Sequence, residues 1–171
     1  RSMPLVYPDD RNVDDMVFQY MFGDNILVAP ILNDEGIAEY YVPEGKWTDI
    51  ITGKVLEGGK WYKHKCSYFE IPALAKPNSI IAYGNFERQI EYDYLEGTTF
   101  TIYELEDGKS AVCPIYDTEA NKVFELTATR HGNKIECEYT DTKASFKIAV
   151  ANTDKTVEIA PNFSGKVIIE L

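Results

Sequence analysis

Pairs of neighbouring carboxylates are the residues in this chain with the clearest capacity for acid–base chemistry. Asp9-Asp10 and Asp14-Asp15 form two such doublets close to the amino terminus. Glycoside hydrolysis needs two carboxyl groups held about 5 to 10 Å apart around the scissile bond. Adjacent side chains point in different directions, and aspartates commonly close turns and cap helices. We therefore interpret both doublets as turn and capping residues, and we predict no catalytic residue in this chain.

A calcium loop is the first metal-binding pattern to consider. Asp10, Asn12 and Asp14 fit the first three ligand positions of such a loop. Asp15 stands where the loop requires glycine, and Met21 stands where it requires a bidentate glutamate. Because two defining positions fail, the sequence predicts no calcium site.

The cysteines fit neither a zinc site nor a disulfide framework. His64 and Cys66 are zinc-type ligands without a second pair. Cys66, Cys113 and Cys137 are odd in number and widely spaced, which favours a reducing, cytoplasmic location. Cys137 occupies an inward position of a predicted strand and is expected to be a small buried side chain. With no phosphate-binding glycine loop either, we predict no metal and no cofactor.

Aromatic side chains are the remaining candidates for a binding site, because flat rings can stack on the faces of sugars. Aromatic residues are also ordinary constituents of strands, and core packing is the interpretation that we favour. Tyr40 and Tyr41 are adjacent, so in a strand one of these rings must point away from the other. The candidates are Trp47, Trp61, Tyr62, Tyr40, Tyr41, Tyr92 and Tyr94.

Composition narrows the class of protein and of partner. The chain has 171 residues, 44% of them hydrophobic, which is sufficient for one large domain or two small ones. The formal net charge of −11 argues against nucleic acid and against anionic membrane surfaces as partners. No apolar run approaches the length of about 20 residues that crosses a bilayer.

The first 24 residues have a different pattern from the rest. Residues 3–7 form a short apolar run that ends at a Pro-Asp-Asp turn signal. The spacing of the apolar residues that follow predicts a helix over 12–22, with Asn12 as its cap. The apolar face of that helix would comprise Val13, Met16, Val17, Tyr20 and Met21.

From Asn25 onward the hydrophobic period is two, as in strands with one buried face. Turn signals at about ten-residue spacing favour sandwiches or barrels. Gly84-Asn85 divides the strands into two groups. The first group is predicted at 26–31, 37–42, 47–51, 61–62, 68–72 and 79–83, and the second at 90–95, 98–105, 110–116, 122–130, 134–139, 146–150, 157–159 and 167–171.

Several ordered segments resemble glycoside hydrolase family 31. Residues 19–30 (QYMFGDNILVAP), 41–47 (YVPEGKW) with Thr52-Gly53, and 76–84 (KPNSIIAYG) match segments of that family in order and spacing. Residues 96–100 (EGTTF) and 107–113 (DGKSAVC) are similar to the α-xylosidase branch. Beyond about residue 117 the resemblance is only to a β-sandwich.

The resemblance implies an all-β fold: two antiparallel β-sandwich domains preceded by a short strand–helix remnant of a (β/α)8 barrel. Residues 1–24 would be the last strand and helix of the catalytic barrel, with the strand at 1–7 and the helix at 12–22. Residues 25–86 would form a proximal sandwich and residues 87–171 a distal one. The catalytic carboxylates of the family lie on earlier barrel strands, so no catalytic, cofactor-binding or metal-binding residue is transferred to this chain. The start at Arg1-Ser2 fits a chain cut from a longer protein.

Three functions follow as hypotheses. The first is a non-catalytic part of a retaining α-xylosidase-like or α-glucosidase-like enzyme. Its partners would be the missing catalytic barrel of the same polypeptide and further copies of that enzyme, and it would meet α-linked sugars only through that enzyme. The second is an autonomous carbohydrate-binding module, and the third is a structural immunoglobulin-like interaction domain.

Overall fold

The protein is almost entirely β-structure and divides into two compact units. The computed structural model describes residues 1–85, 93–140, 142–161 and 165–171. The first unit is Arg1–Pro77 and the second is Asn78–Leu171. In these ranges no helix is long and apolar enough to cross a membrane. The predicted all-β fold is confirmed.

The first unit contains a short helix, a 3-10 turn and strands β1 to β7. The helix α1 is Met3–Val6 and the 3-10 turn is Arg11–Val13. The strands are β1 Tyr20–Phe22, β2 Ile26–Val28, β3 Ile37–Val42, β4 Lys46–Asp49, β5 Val55–Glu57, β6 Lys60–Lys65 and β7 Ala73–Ala75.

The second unit contains strands β8 to β15. They are β8 Ser79–Tyr83, β9 Thr99–Tyr103, β10 Ser110–Tyr116, β11 Lys122–His131, β12 Lys134–Tyr139, β13 Phe146–Val150, β14 Thr156–Ile159 and β15 Gly165–Glu170.

In the first unit a five-stranded sheet and a two-stranded ribbon share one core. The sheet has the order β1-β2-β7-β4-β5, and the ribbon pairs β3 with β6. The turn between β5 and β6 connects the sheet to the ribbon. Its Gly58 N–H donates to the carbonyl of Gly45, in the turn between β3 and β4, over 2.7 Å. A Cβ at Gly58 would lie 1.9 Å from the Pro43 carbonyl oxygen, so only glycine fits there. Trp47, Leu27 and Leu74 are the centre of this core.

The second unit is a sandwich of two four-stranded sheets. Their orders are β10-β11-β12-β15 and β14-β13-β9-β8. Both sheets contribute to one core, where Phe100, Phe124 and Phe146 meet with ring centroids 5.1 to 5.6 Å apart. The predicted alternation along 122–139 is confirmed: Phe124, Leu126, Ala128, Ile135, Cys137 and Tyr139 are all buried. The pairing of β9 with β13 is parallel, which the sequence did not indicate.

The predicted strand–helix opening is wrong. Residues 3–6 are helical rather than extended, and the 12–22 region is a 3-10 turn, an irregular link and strand β1. Three of the five residues of the predicted apolar face are buried, but Val17 is 75% exposed and Tyr20 is 40% exposed. An isolated helix of about three turns is marginal in water, and pairing of β1 with β2 gives the same backbone groups sheet partners.

The opening residues pack within the first unit. Met3, Val13, Met16 and Met21 belong to the same buried cluster as Trp47. The compact units divide between Pro77 and Asn78, whereas the sequence placed the second boundary between 86 and 87. The reason is that β8 pairs with β9 and so belongs to the second sandwich.

The prediction of a strand over 68–72 is also wrong. Residues 67–70 form a turn, in which the Glu70 N–H donates to the Ser67 carbonyl over 3.2 Å. The Glu70 carboxylate in turn accepts the Ser67 N–H over 2.7 Å. The strand begins afterwards, at Ala73. The parts of the predicted strand 90–95 that fall on 90–92 lie outside the described residues.

Gln19 fastens the opening segment to the ribbon. Its side-chain nitrogen donates to the Tyr41 carbonyl over 2.8 Å, and its side-chain oxygen accepts the Tyr41 N–H over 2.7 Å. Gln19 is itself buried. The amide thus serves both backbone groups of Tyr41 in the way that a neighbouring strand would. Asn33 does the same for Ile37 on the same strand, but both of its bonds are exposed to solvent.

Replacing Gln19 by alanine should destabilise the first unit by about 2–4 kcal/mol, because two buried backbone groups lose their partners. Trp47 and Trp61 both lie in the first unit, so tryptophan fluorescence during urea unfolding reports on that unit alone. Asn33→Ala removes the same pair of bonds at an exposed site and is the matched control. Its expected cost is below about 1 kcal/mol, because water replaces the amide. Equal losses in the two variants would contradict the role given to Gln19.

Candidate functional site

One aspartate of each carboxylate doublet has a structural role at the 3-10 turn. Asp10 caps the 3-10 turn by accepting the backbone N–H of Asn12 over 3.0 Å and its side-chain amide over 2.8 Å. Burial raises the pKa of Asp10, but hydrogen bonds from Asn12 and Tyr41 lower it, and the net shift is below the ordinary value. Asp14 ends the same turn. Hydrogen bonds hold Asp10 in its charged form, which is a poor state for a general acid.

His64 and Cys66 are neighbours in space, with Sγ and Nε2 separated by 3.3 Å. Burial is the main cause that raises the pKa of the Cys66 thiol, so it stays protonated and is a weak nucleophile. Across the ranges that the structure describes, no group of three or more histidine, cysteine, aspartate or glutamate side chains is arranged to hold a metal ion.

The predicted aromatic platform is divided between core and surface. Trp47 is buried, and its ring nitrogen donates to the Pro43 carbonyl over 2.9 Å. Tyr40 is buried and stacks on Tyr62 at 5.9 Å. Burial, followed by the charge of Asp49, raises the pKa of Tyr40 to about 12.

Tyr41 and Trp61 pair on the other face of the ribbon. Their ring centroids lie 5.8 Å apart, and the Asn12 side-chain amide donates to the Tyr41 hydroxyl over 3.2 Å. Tyr41 is 3% exposed, while Trp61 is about half exposed. Of the other two candidates, Tyr94 is partly buried in the second unit and Tyr92 lies outside the described residues.

Several exposed apolar side chains lie on or near β1, which is one of the two edge strands of the five-stranded sheet. Tyr20 and Phe22 share the outer face of β1, whose middle residue Met21 points into the core. A bridge between Ser2 and Tyr20 brings the helix α1 beside this strand. We call this the edge-strand surface, and it comprises Leu5, Val17, Phe18, Tyr20 and Phe22.

A cleft of mixed apolar and charged lining lies elsewhere on the first unit, beside the β4–β5 hairpin. It has a volume of about 370 Å³ and is bounded by that hairpin, by β6 and by the loop before β7. Its charged lining residues are Asp49, Lys54, Lys63, Lys65 and Glu70, and His64 lies beside them. We call it the hairpin cleft. Sequence patterns do not predict it, because a hairpin, a strand and a loop form a cleft only once the fold brings them together.

Two rings stand in the loop that forms one wall of the hairpin cleft. Tyr68 is 95% exposed and Phe69 is 90% exposed, and the two meet edge to face at 5.4 Å. They are not among the aromatic candidates indicated by the sequence, which places them in a strand over 68–72. Hydrogen bonds between Ser67 and Glu70 make this segment a turn. A serine followed three residues later by a glutamate is typical of capping and turn motifs, and this is the sequence signal that indicates a turn here.

Comparison with known proteins places these features in a family. The profile of the Glycosyl hydrolase family 31 C-terminal domain matches residues 1–81. The profile of the Alpha-xylosidase YicI C-terminal domain matches residues 93–171. The chain belongs to glycosyl hydrolase family 31. The recognition made from the sequence motifs is confirmed, and the first profile includes the opening residues that were assigned to a barrel.

Curated relatives of this family 31 chain include α-xylosidases. The chain is 32% identical to α-xylosidase XylQ of Lactiplantibacillus pentosus over 163 residues, which is 94% of this chain and 21% of that protein. It is 41% identical to an α-xylosidase of Emericella nidulans over 150 residues, 80% of this chain and 19% of that protein. The chain therefore spans about a fifth of the length of these relatives.

Solved structures of carbohydrate-active enzymes share the fold. The cycloalternan-forming enzyme of Listeria monocytogenes superimposes with a TM-score of 0.82 at 22% identity, covering 99% of this chain and 20% of that chain. A GH31 dextranase of Flavobacterium johnsoniae gives 0.83 at 18% identity, covering 100% of this chain and 29% of that chain. At these identities the likeness concerns the fold alone.

The buried thiols of the second unit generate a prediction about pH. Burial raises the pKa of Cys113 from 9.0 to about 11 and that of Cys137 from 9.0 to about 12. The unfolded thiols ionise near pH 9 while the folded ones keep their protons, so their contribution to stability is complete below pH 9. It is lost progressively as the pH rises from 9 towards 11 and 12.

We expect the urea midpoint of the second unit, followed by circular dichroism, to fall over that pH interval. Cys137→Ala should be less stable than the natural chain below pH 9, because it creates a cavity, yet should lose less stability on alkalinisation. An identical pH profile for the two proteins would contradict the buried-thiol assignment.

Proposed function

We propose that this chain is a non-catalytic C-terminal part of a retaining α-xylosidase-like or α-glucosidase-like enzyme, and that it supports the enzyme's catalytic barrel. The profile matches and the α-xylosidase relatives support the choice of enzyme. The length comparison supports a larger protein, since the relatives are about five times as long as this chain. Carbohydrate metabolism is the corresponding role.

The edge-strand surface is the observation that carries the supporting role. Its side chains are 40% to 78% exposed, although they belong to the segment whose other face builds the core. Clusters of exposed apolar side chains commonly mark interaction sites. Phe18 and Phe22 belong to a segment held by buried bonds, so their positions are fixed in advance of docking.

The catalytic barrel of the same polypeptide is the occupant that we propose for this surface. The surface is formed by the amino-terminal residues of the chain, so an amino-terminal neighbour reaches it without a long connection. A barrel carries apolar helices on its outer ring, and these are suited to cover aromatic side chains. Contacts between copies of the whole enzyme are a further proposal for the exposed apolar residues of the second unit, such as Val112 and Val123.

The cysteines of the chain and its net charge support a proposal for the location of the enzyme and for the partners that it does not bind. Three free, buried cysteines support a reducing, cytoplasmic location. The net charge of −11 supports the absence of nucleic acid and of anionic membranes from the partners.

The rings of Tyr41 and Trp47, which the carbohydrate-module hypothesis would need at the surface, are buried.

The purified chain should not hydrolyse aryl α-xylosides or aryl α-glucosides. Asp9 and Asp10 do line a cavity together with Glu44, but the Asp10 carboxylate caps the 3-10 turn and its hydrogen bonds hold its pKa below the ordinary value, so it is not a proton donor. Release of the aryl group is measured by absorbance, with the Lactiplantibacillus pentosus α-xylosidase as positive control. Turnover that stays with the chain through successive purification steps would contradict the proposal. Turnover that separates from it would identify a contaminant and leave the expected result standing.

A further inference from the structure

The hairpin cleft and the ring pair beside it form a site that the supporting role does not use. They lie on the β4–β5 side of the first unit, whereas the edge-strand surface lies at β1, the opposite margin of the same sheet. We propose that the cleft, together with Tyr68 and Phe69 on the loop whose next residues line it, binds a neutral α-linked oligosaccharide. This replaces the expectation that the chain meets such sugars only through the parent enzyme.

The charges in the cleft indicate a neutral ligand. Asp49 and Glu70 are negative, and Lys54, Lys63 and Lys65 are positive. The Lys63 ammonium is paired with the Glu39 carboxylate over 2.8 Å, which leaves two groups of each sign beside the ring of His64. A site for a strongly charged ligand would be dominated by the opposite sign, since like charges at short range are repulsive. Carboxylates accept hydrogen bonds and ammonium groups donate them, so the mixture suits hydroxyl groups, which do both.

The cleft is built rather than incidental. Asp49 is held by the hairpin, because its Oδ1 accepts the N–H groups of Ile51 and Thr52 over 2.9 and 3.0 Å. The Ser67 N–H, followed by the Ser67 side chain, lowers the pKa of Glu70, so that carboxylate stays charged. The volume of about 370 Å³ is within the range of small-ligand sites.

The ring pair supplies the apolar part of sugar recognition. Tyr68 and Phe69 stand nearly perpendicular, with an interplanar angle of 86°, so they present one ring face and one ring edge side by side. The turn that carries them is closed by two hydrogen bonds between Ser67 and Glu70. A preformed pair of rings loses little conformational freedom when a ligand stacks on it. Polar groups in the adjacent cleft then reach the hydroxyls of the next sugar unit.

The test is a titration of the isotope-labelled 171-residue chain with isoprimeverose and with maltotriose, followed by amide chemical shifts. We expect saturable shifts at 49–54, 62–65 and 67–71, with a dissociation constant in the millimolar range. Tyr68→Ser combined with Phe69→Ser should weaken binding about tenfold, since each ring contact is modest and two are lost. Glu70→Gln keeps an acceptor for Ser67 and should weaken binding without disturbing the turn.

Tyr116→Ser is the matched control, because Tyr116 is a half-exposed tyrosine on the second unit and its loss should leave the affinity unchanged. Shifts that are absent for both sugars, that map outside the cleft, or that survive in the Tyr68/Phe69 double variant would overturn the proposal. Released monosaccharide is assayed in the same samples. Hydrolysis would count against the non-catalytic role, whereas missing shifts would count only against the cleft, so the two failures are distinguishable.

Discussion

The bidentate pairing of Gln19 with Tyr41 is the interaction on which the first unit depends. It places a side-chain amide where a strand would otherwise be needed, at the free edge of β3. Because both partners are buried, water cannot replace either bond, and the opening segment cannot leave without exposing the core. Met3, Val13, Met16 and Met21 are thereby held over the sheet. The same attachment fixes the outward-facing residues of the edge-strand surface.

Two consequences follow for how this family 31 chain serves a larger protein. One margin of the first sheet presents apolar residues on a segment held by buried bonds, and the other carries the hairpin cleft, next to the loop with two exposed rings. Under the two proposals, the first unit contacts a catalytic neighbour at one margin and carbohydrate at the other. The second unit, whose aromatic core joins both of its sheets, contributes a stable body of ordinary alternating strands.

The sequence predicted those strands whose buried and exposed faces follow from hydrophobic residues at every second position. Strands β11 and β12 alternate because one face packs on Phe100 and Phe146 while the other meets water, which is the period of two that predicts these strands. The opening helix failed because apolar spacing over eleven residues satisfies helical and non-helical packing alike. Tyr68 and Phe69 were misplaced because their strand propensity was outweighed by the Ser67–Glu70 turn, and the parallel β9–β13 pairing depends on contacts distant in sequence.

Association of this chain with the separately produced polypeptide that precedes it is the measurement that tests the central claim most directly. The account predicts a stoichiometric complex that hydrolyses aryl α-xyloside, with hydrogen exchange slowed at 17–22. Phe18→Ser combined with Phe22→Ser should weaken that complex, while Ile168→Ser, an equally exposed apolar residue of the second unit, should not. A complex that forms equally well with both variants, or no complex at all, would contradict the account.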